Sequence, residues 1–161
     1  MFRLIDSPLG PLRLQASPWG LSRVEFLTGA TTPEAEDTVD EGDHTKHSTA
    51  VLNAAQVQLT EYFAGRRRSF ELPLDPPTTT EFRAAVHAQL AEIGYGETVT
   101  YRDVAKLLGR PGATRAVGSA CGANPLLIVR PCHRVLRSDG GLGGYAGGLE
   151  AKRFLLTLEE N

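Results

Sequence analysis

Residues 100–123 read TYRDVAKLLGRPGATRAVGSACGA, and the fold of the second half of the chain turns on them. Thr100 can cap a helix over Tyr101–Leu108, with Val104, Leu107 and Leu108 on its apolar side. Gly109-Arg110-Pro111-Gly112 reads as a turn, and Ala113–Gly122 returns to helix. Two short helices around a glycine-containing turn fit a helix-turn-helix, and a generic helical hairpin equally. On the second helix Arg115 is the only long side chain, among Ala116, Val117, Gly118, Ser119 and Ala120. Proteins that read base edges in the major groove place several Arg, Asn, Gln or Glu side chains there. A helix this bare would meet DNA closely, through backbone and shape, with little sequence information and one side chain able to wedge into the stack.

Charge supports that direction. The 161 residues carry a net charge of −2, but residues 1–75 hold 7 Lys/Arg against 11 Asp/Glu, and residues 76–161 hold 10 against 8. Between 101 and 137 the basic residues are Arg102, Lys106, Arg110, Arg115, Arg130, Arg134 and Arg137, and the only acid is Asp103. A basic segment inside an acidic chain is the footprint of a polyanion-facing surface, with a solvated charged face as the plainer alternative. A composition 41% hydrophobic and 22% charged excludes wholesale disorder. No apolar run approaches the roughly 18 residues of a membrane span, so no membrane partner is expected. Asp6 falls where a signal peptide would be apolar, so a cytoplasmic location is expected. Two cysteines exclude a disulfide framework and a four-cysteine zinc site.

Outward from the helix pair, the first thirty residues read as an antiparallel meander: Phe2–Ile5, Pro11–Leu14 and Leu21–Phe26, separated by Ser7-Pro8-Leu9-Gly10 and Ser17-Pro18-Trp19-Gly20. Residues 28–49, rich in Asp and Glu and poor in large apolar side chains, predict a flexible acidic loop. Ala50–Ala64 has helical spacing, with Gly65 as a stop. Leu72-Pro73-Leu74-Asp75-Pro76-Pro77 predicts the linker. Thr80 or Thr79 would cap a helix through Phe82, Val86, Leu90 and Ile93, ended by Gly94 and Gly96. The expected fold is α+β: a small N-terminal antiparallel sheet with a helix (1–75) and a mainly α-helical C-terminal domain containing the helix-turn-helix (76–161).

The chemistry points to Arg130-Pro131-Cys132-His133-Arg134-Val135, preceded by a strand-like apolar run, Leu126–Val129. Neighbouring positive charge and an adjacent imidazole would lower the Cys132 thiol pKa, and the proline would fix the backbone that presents it. Cys121, among small neighbours, reads as an inert buried hydrophobe. A nucleophilic cysteine needs a base, and the base an orienting carboxylate; Asp139, Glu150, Glu159 and Glu160 are all candidates. Residues Lys152–Glu159 read as a terminal amphipathic helix with most of its charges exposed. Asp139–Gly148 holds six glycines around Tyr145, either a lid that stacks Tyr145 on a planar ligand or a plain flexible loop.

Pro131–Val135, with Arg115–Gly118, Asn124-Pro125, Tyr95–Thr98, Tyr101 and Gly144–Gly148, resembles the O6-alkylguanine-DNA alkyltransferase family over about residues 80–159. A looser match runs through Asp6–Leu12 and Tyr62–Gly65. The resemblance implies Cys132 as alkyl acceptor, His133 as its base through a water, and Glu159 as the orienter of His133. It implies Asn124 as a brace between the recognition helix and an active-site strand, Tyr101 as a proton donor that also turns the target phosphate, and Arg115 as the finger replacing the extruded base. Tyr145 and Ala146 would wall the base pocket, and the Val135 and Cys132 carbonyls would bond the guanine amine. Thr100, Arg102, Arg110, Gly118, Ser119 and Ser138 complete the expected DNA- and substrate-contacting set. Arg130, Ala146, His87 and Gly94 depart from the family pattern.

The expected function is direct repair, in which the alkyl group of O6-alkylguanine, with O4-alkylthymine as a second possible substrate, passes to Cys132 in a single turnover. An alkylated base inside a duplex is out of a thiolate's reach, so it must be flipped out. The expected partner is double-stranded DNA carrying the lesion, approached from the minor groove, by a monomer without cofactor or metal; cooperative binding along DNA is open. One alternative is a non-catalytic protein that flags alkylated DNA, although such relatives replace the cysteine that this chain keeps. A cysteine hydrolase would explain Cys132-His133 but not the basic helix pair.

Overall fold

The computed structural model describes residues 1–27 and 42–161. They form two units, Met1–Pro77 and Thr78–Asn161. The mixture, among the described residues, of a small antiparallel sheet and five α-helices makes the protein α+β.

In the N-terminal unit the alternation of apolar and polar residues produces three strands, β1 (Phe2–Ile5), β2 (Leu12–Ser17) and β3 (Gly20–Phe26), antiparallel in that order. Leu12, Leu14 and Ala16 alternate on one face of β2 and are buried. With Leu21 and Val24 they meet the stripe of Val51, Leu52, Ala55, Leu59 and Tyr62 on α1 (Asp43–Phe63), which packs on the sheet. The helix starts seven residues before Ala50, so Asp43–Thr49 belong to it and not to the expected acidic loop. An acid in the first turn complements the helix dipole, and the His44 ring lies 6.3 Å from Trp19 on the β2–β3 turn. The rest of that loop, residues 28–41, lies outside the described residues.

The proline-rich linker does more than connect. Leu21 of β3 exchanges backbone hydrogen bonds with it, its N–H donating to the Pro73 carbonyl (2.8 Å) and its carbonyl accepting from Asp75 N–H (2.8 Å). Proline is tolerated here because the segment lies at a sheet edge. Gly20 allows the approach: a Cβ there would lie 2.7 Å from the Pro73 carbonyl carbon.

The C-terminal unit begins with α2 (Glu81–Leu90), capped by Thr80, whose hydroxyl accepts from Arg83 N–H at 3.3 Å. It stops three residues short of Ile93, which is buried in the turn that follows. Then come β4 (Val99–Thr100), α3 (Tyr101–Leu107) and α4 (Thr114–Gly122), the last two packed together and α4 also on α2. Thr100 and Asp103 form a reciprocal capping box on α3. After a one-turn 3₁₀ helix at Cys132–Arg134, β5 (Val135–Leu136) pairs in parallel with β4, and α5 (Leu149–Glu159) ends the unit. The Val99↔Val135 and Thr100↔Leu136 register ties the start of α3 to the residues just after Cys132.

Leu126–Val129 is not a strand. Val129 N–H bonds the Leu127 carbonyl and Arg130 N–H the Leu126 carbonyl, so the run folds into consecutive turns. Ile128 is buried there at φ 71°, an unfavourable conformation for a β-branched residue. Burial of Leu126, Leu127 and Ile128 explains their apolarity without a sheet.

Candidate active site

Cys132 opens the 3₁₀ turn, is 3% exposed, and takes its place from the chain around it. Its N–H donates to the Arg130 carbonyl (2.8 Å), and the same carbonyl accepts from Asn124 Nδ2 (2.9 Å). Asn124 Oδ1 in turn accepts from Leu126 N–H (3.1 Å). One buried amide therefore spans the turns between α4 and the cysteine, so Asn124 braces a turn where an active-site strand was expected.

His133 is fully buried and its Nε2 lies 2.8 Å from Glu159 Oε1. Of the four candidate carboxylates, the structure brings Glu159 alone to His133. Asp139 is exposed and engaged with Arg137 and Gly141 N–H, while Glu150 and Glu160 are exposed. Because a carboxylate only accepts, Nε2 carries the hydrogen and Nδ1 keeps its lone pair. Nδ1 is buried and has no hydrogen-bond partner among the described residues. Burial lowers the His133 pKa against the raising effect of Glu159, so the imidazole is neutral at pH 7 and can accept a proton.

Glu159 also binds Arg134, with Nε to Oε2 and Nη2 to Oε1 both 2.8 Å, and Arg134 Nη1 donates to the Ile93 carbonyl (2.5 Å). Arg134 thus lies inside the unit, not on the basic surface where its sequence position put it. Arg137, also exposed, is paired with Asp139, leaving Arg102, Lys106, Arg110 and Arg115 as the exposed basic groups of segment 101–137 without an ion pair among the described residues.

The Cys132 thiol pKa moves opposite to expectation. Burial pushes it up, while Asn124 and the Lys152 ammonium pull it down less strongly. The flanking arginines do not rescue it, because Arg134 is neutralised by Glu159 and Arg130 bears on His87 instead. A thiol held protonated needs a nearby base at the moment of reaction, which sharpens the requirement for His133.

Lys152, which the sequence reading left on an exposed helix face, is completely buried. Its ammonium donates to the Val135 carbonyl (2.7 Å), the Leu142 carbonyl and the Gly144 carbonyl (3.2 Å), and stands 3.5 Å from the Tyr101 hydroxyl. It pins the glycine-rich loop beside Tyr101. The signal was available: Lys152 and Glu159 are two helical turns apart, on the same stripe of α5 as the buried Ala151 and Leu155. The Val135 carbonyl, expected to face the guanine amine, already accepts from Lys152, and the Cys132 carbonyl already accepts from Val135 N–H.

Cys132 lies on a cavity of about 540 Å³ lined also by Tyr101, Arg115, Gly118, Cys121 and Tyr145, with Thr114, Gly122, Gly144 and Ala146 completing the wall. Tyr145 stands edge-on to His133, ring centroids 6.4 Å apart. Burial raises the Tyr101 pKa to about 12, so its hydroxyl keeps its proton at neutral pH. Gly143, at φ 72°, lies against Tyr101: a Cβ would fall 2.6 Å from the hydroxyl. Cys121 is buried as expected but faces this cavity, its thiol pushed up to about 12 by burial. Arg115 is exposed on α4. Thr100 spends its hydroxyl on the α3 cap, while Arg102, Arg110, Ser119 and Ser138 are exposed on the surface. No group of three or more potential metal-ligating side chains occurs among the described residues. No helix of the described residues is long and apolar enough to cross a membrane.

Comparison with known proteins shows the family of the chain. Residues 81–161 match the DNA binding domain of 6-O-methylguanine DNA methyltransferase, and residues 1–76 its ribonuclease-like domain. A methylated-DNA–protein-cysteine methyltransferase of Methanosarcina barkeri is 44% identical over 99% of this chain and 97% of its own length. One from Mycobacterium tuberculosis is 40% identical over 99% and 92%. The crystal structure of Mycobacterium tuberculosis OGT in complex with DNA superposes with a TM-score of 0.83 at 39% identity, covering 99% of this chain and 92% of that one. The chain belongs to the 6-O-methylguanine DNA methyltransferase family, enzymes that transfer a methyl group from methylated DNA to a protein cysteine.

Proposed function

We propose that the protein repairs O6-alkylguanine in double-stranded DNA by moving the alkyl group to Cys132, once per molecule. The observation that carries this reading is a buried cysteine that faces a base-sized cavity beside a helix bare of bulk, followed in the chain by a neutral, carboxylate-oriented histidine.

The lesion enters from the minor groove with the target nucleotide turned out of the stack, and Arg115 fills the gap it leaves. His133 Nδ1 takes the Cys132 proton through a water, and Glu159 stabilises the imidazolium that results. The thiolate attacks the alkyl carbon: a sulfur–carbon bond forms, the carbon–O6 bond breaks, and its electron pair passes into the guanine ring. The Tyr101 hydroxyl supplies the proton that neutralises that ring. Tyr145 and Ala146 wall the base, and Thr100, Arg102, Arg110, Gly118, Ser119 and Ser138 lie along the DNA. The product thioether has no hydrolytic route back to thiol, so the reaction is stoichiometric and balances without a cofactor. O4-alkylthymine presents the same exocyclic ether and is a secondary substrate. The protein acts as a monomer in the cytoplasm.

Intact mass after incubation with a duplex containing O6-methylguanine tests the reading. A gain of about 14 Da, the methylene added when a thiol is methylated, is expected on Cys132 and absent in Cys132→Ser. DNA binding with unchanged mass contradicts it.

A further inference from the structure

Three guanidinium groups gather around the first two turns of α2. Arg110, from the turn between α3 and α4, lies over the Phe82 ring, 5.6 Å from its centroid. Arg83 is exposed on the next residue, and Arg130, half-buried, comes from the turn before Pro131. Arg83 lies one turn before the buried His87 on α2, and both Arg83 and Arg130 act on that ring, disfavouring its protonated form. None of the three has an ion pair or a side-chain hydrogen bond among the described residues. Glu81, the one acid on α2, is not paired with any of them. A half-buried guanidinium without a counter-charge is costly to keep, and three together define a strip of unneutralised positive charge.

We infer that this strip, Arg110–Arg83–Arg130, is a second contact with the phosphodiester backbone of DNA, continuous through Arg110 with the helix-turn-helix surface. The inference rests on the DNA-binding reading above. Guanidinium groups suit phosphate oxygens, and such contacts add affinity without sequence information. An acidic protein partner fits less well, because the strip offers only the half-buried Phe82 ring as apolar anchor, and protein interfaces need an apolar centre. Exposed Ala84 and Ala88 leave the neighbouring surface of α2 low enough for a backbone to lie along it.

The test is the salt dependence of binding to a lesion-containing duplex for the wild type, Arg83→Gln, Arg130→Gln and the double variant. Alkylation of each by free O6-methylguanine base serves as a readout that needs no DNA. Each substitution should reduce the slope of log affinity against log salt by about 0.9, and the pair by about 1.8. The rate with free base should stay at the wild-type value in Arg83→Gln, which is remote from Pro131–Cys132. An unchanged slope in Arg83→Gln, while the wild type binds and repairs the duplex, overturns the strip and leaves the alkyl-transfer reading intact. A wild type that neither binds the duplex nor gains mass overturns that reading instead. Binding of an acidic peptide competitive with DNA, with the duplex slope unaltered in both variants, also overturns the strip.

Discussion

Among the described residues, the buried polar side chains of the N-terminal unit are Ser48 and Gln58, and those of the C-terminal unit are His87, Asn124, His133, Arg134, Lys152 and Glu159. Gln58 braces one strand of chain, donating to the Glu71 carbonyl and accepting from Glu71 N–H, and a sheet-on-helix apolar core does the rest. The C-terminal unit instead buries two cations and an anion within reach of its only cysteine–histidine pair. Apolar side chains of similar volume would fill such space at equal or better stability, so charge kept there calls for a chemical reason. The first unit is built to fold and the second to hold reactive groups in place.

That contrast can be broken in four places. Glu159→Gln should have the largest effect, because it leaves Arg134 buried without its counter-charge and His133 without its orienter. Alkyl transfer should slow by about 100-fold or more, and the unit should lose about 3 kcal/mol of stability, measured by single-turnover kinetics and urea unfolding. An unchanged rate would remove Glu159 from the mechanism. Gly143→Ala should come next, pushing Tyr101 from its position and slowing transfer by about 10- to 100-fold, with little loss of DNA affinity. Leu14→Ala, in the apolar core of the other unit, should cost about 3 kcal/mol while the transfer rate of folded molecules stays the same. A rate loss that follows this substitution would show that the N-terminal unit also tunes the site.

The smallest effect is on pH. Burial lowers the pKa of both His87 and His133 in the folded state, so the unfolded chain binds protons more readily. Stability of the C-terminal unit should therefore be full above the ordinary histidine value of 6.5 and fall as pH drops below it. Hydrogen exchange at pH 7.5 and 5.5 should show extra opening of α4 and the Cys132 turn at the lower pH. Equal protection would contradict the neutral, buried imidazoles.

Contiguous features were legible in the sequence, and distant partnerships were not. Pro131-Cys132-His133-Arg134-Val135 and the helix pair before it are local, and periodicity with a capping threonine located them. The residues by themselves left Glu159, Asp139, Glu150 and Glu160 open and only the family resemblance pointed to Glu159, since the contact depends on α5 returning to the 3₁₀ turn. Lys152 escaped because lysine is ordinarily solvated, although its spacing from Glu159 marked the buried stripe. The Cys132 thiol was misjudged because neighbouring charge is visible in a sequence and desolvation is not. Leu126–Val129 was misjudged because an apolar run carries no sign of whether it lies in a sheet or in buried turns.

The central claim is that the charged interior of the C-terminal unit serves one irreversible reaction at one of two cavity-facing thiols. Exposure to excess O6-methylguanine duplex with a labelled methyl group, followed by peptide mapping, tests it most directly. One methyl per chain, all of it on Cys132 and none on Cys121, is the predicted result. Label on Cys121, or more than one methyl released per chain, would contradict it.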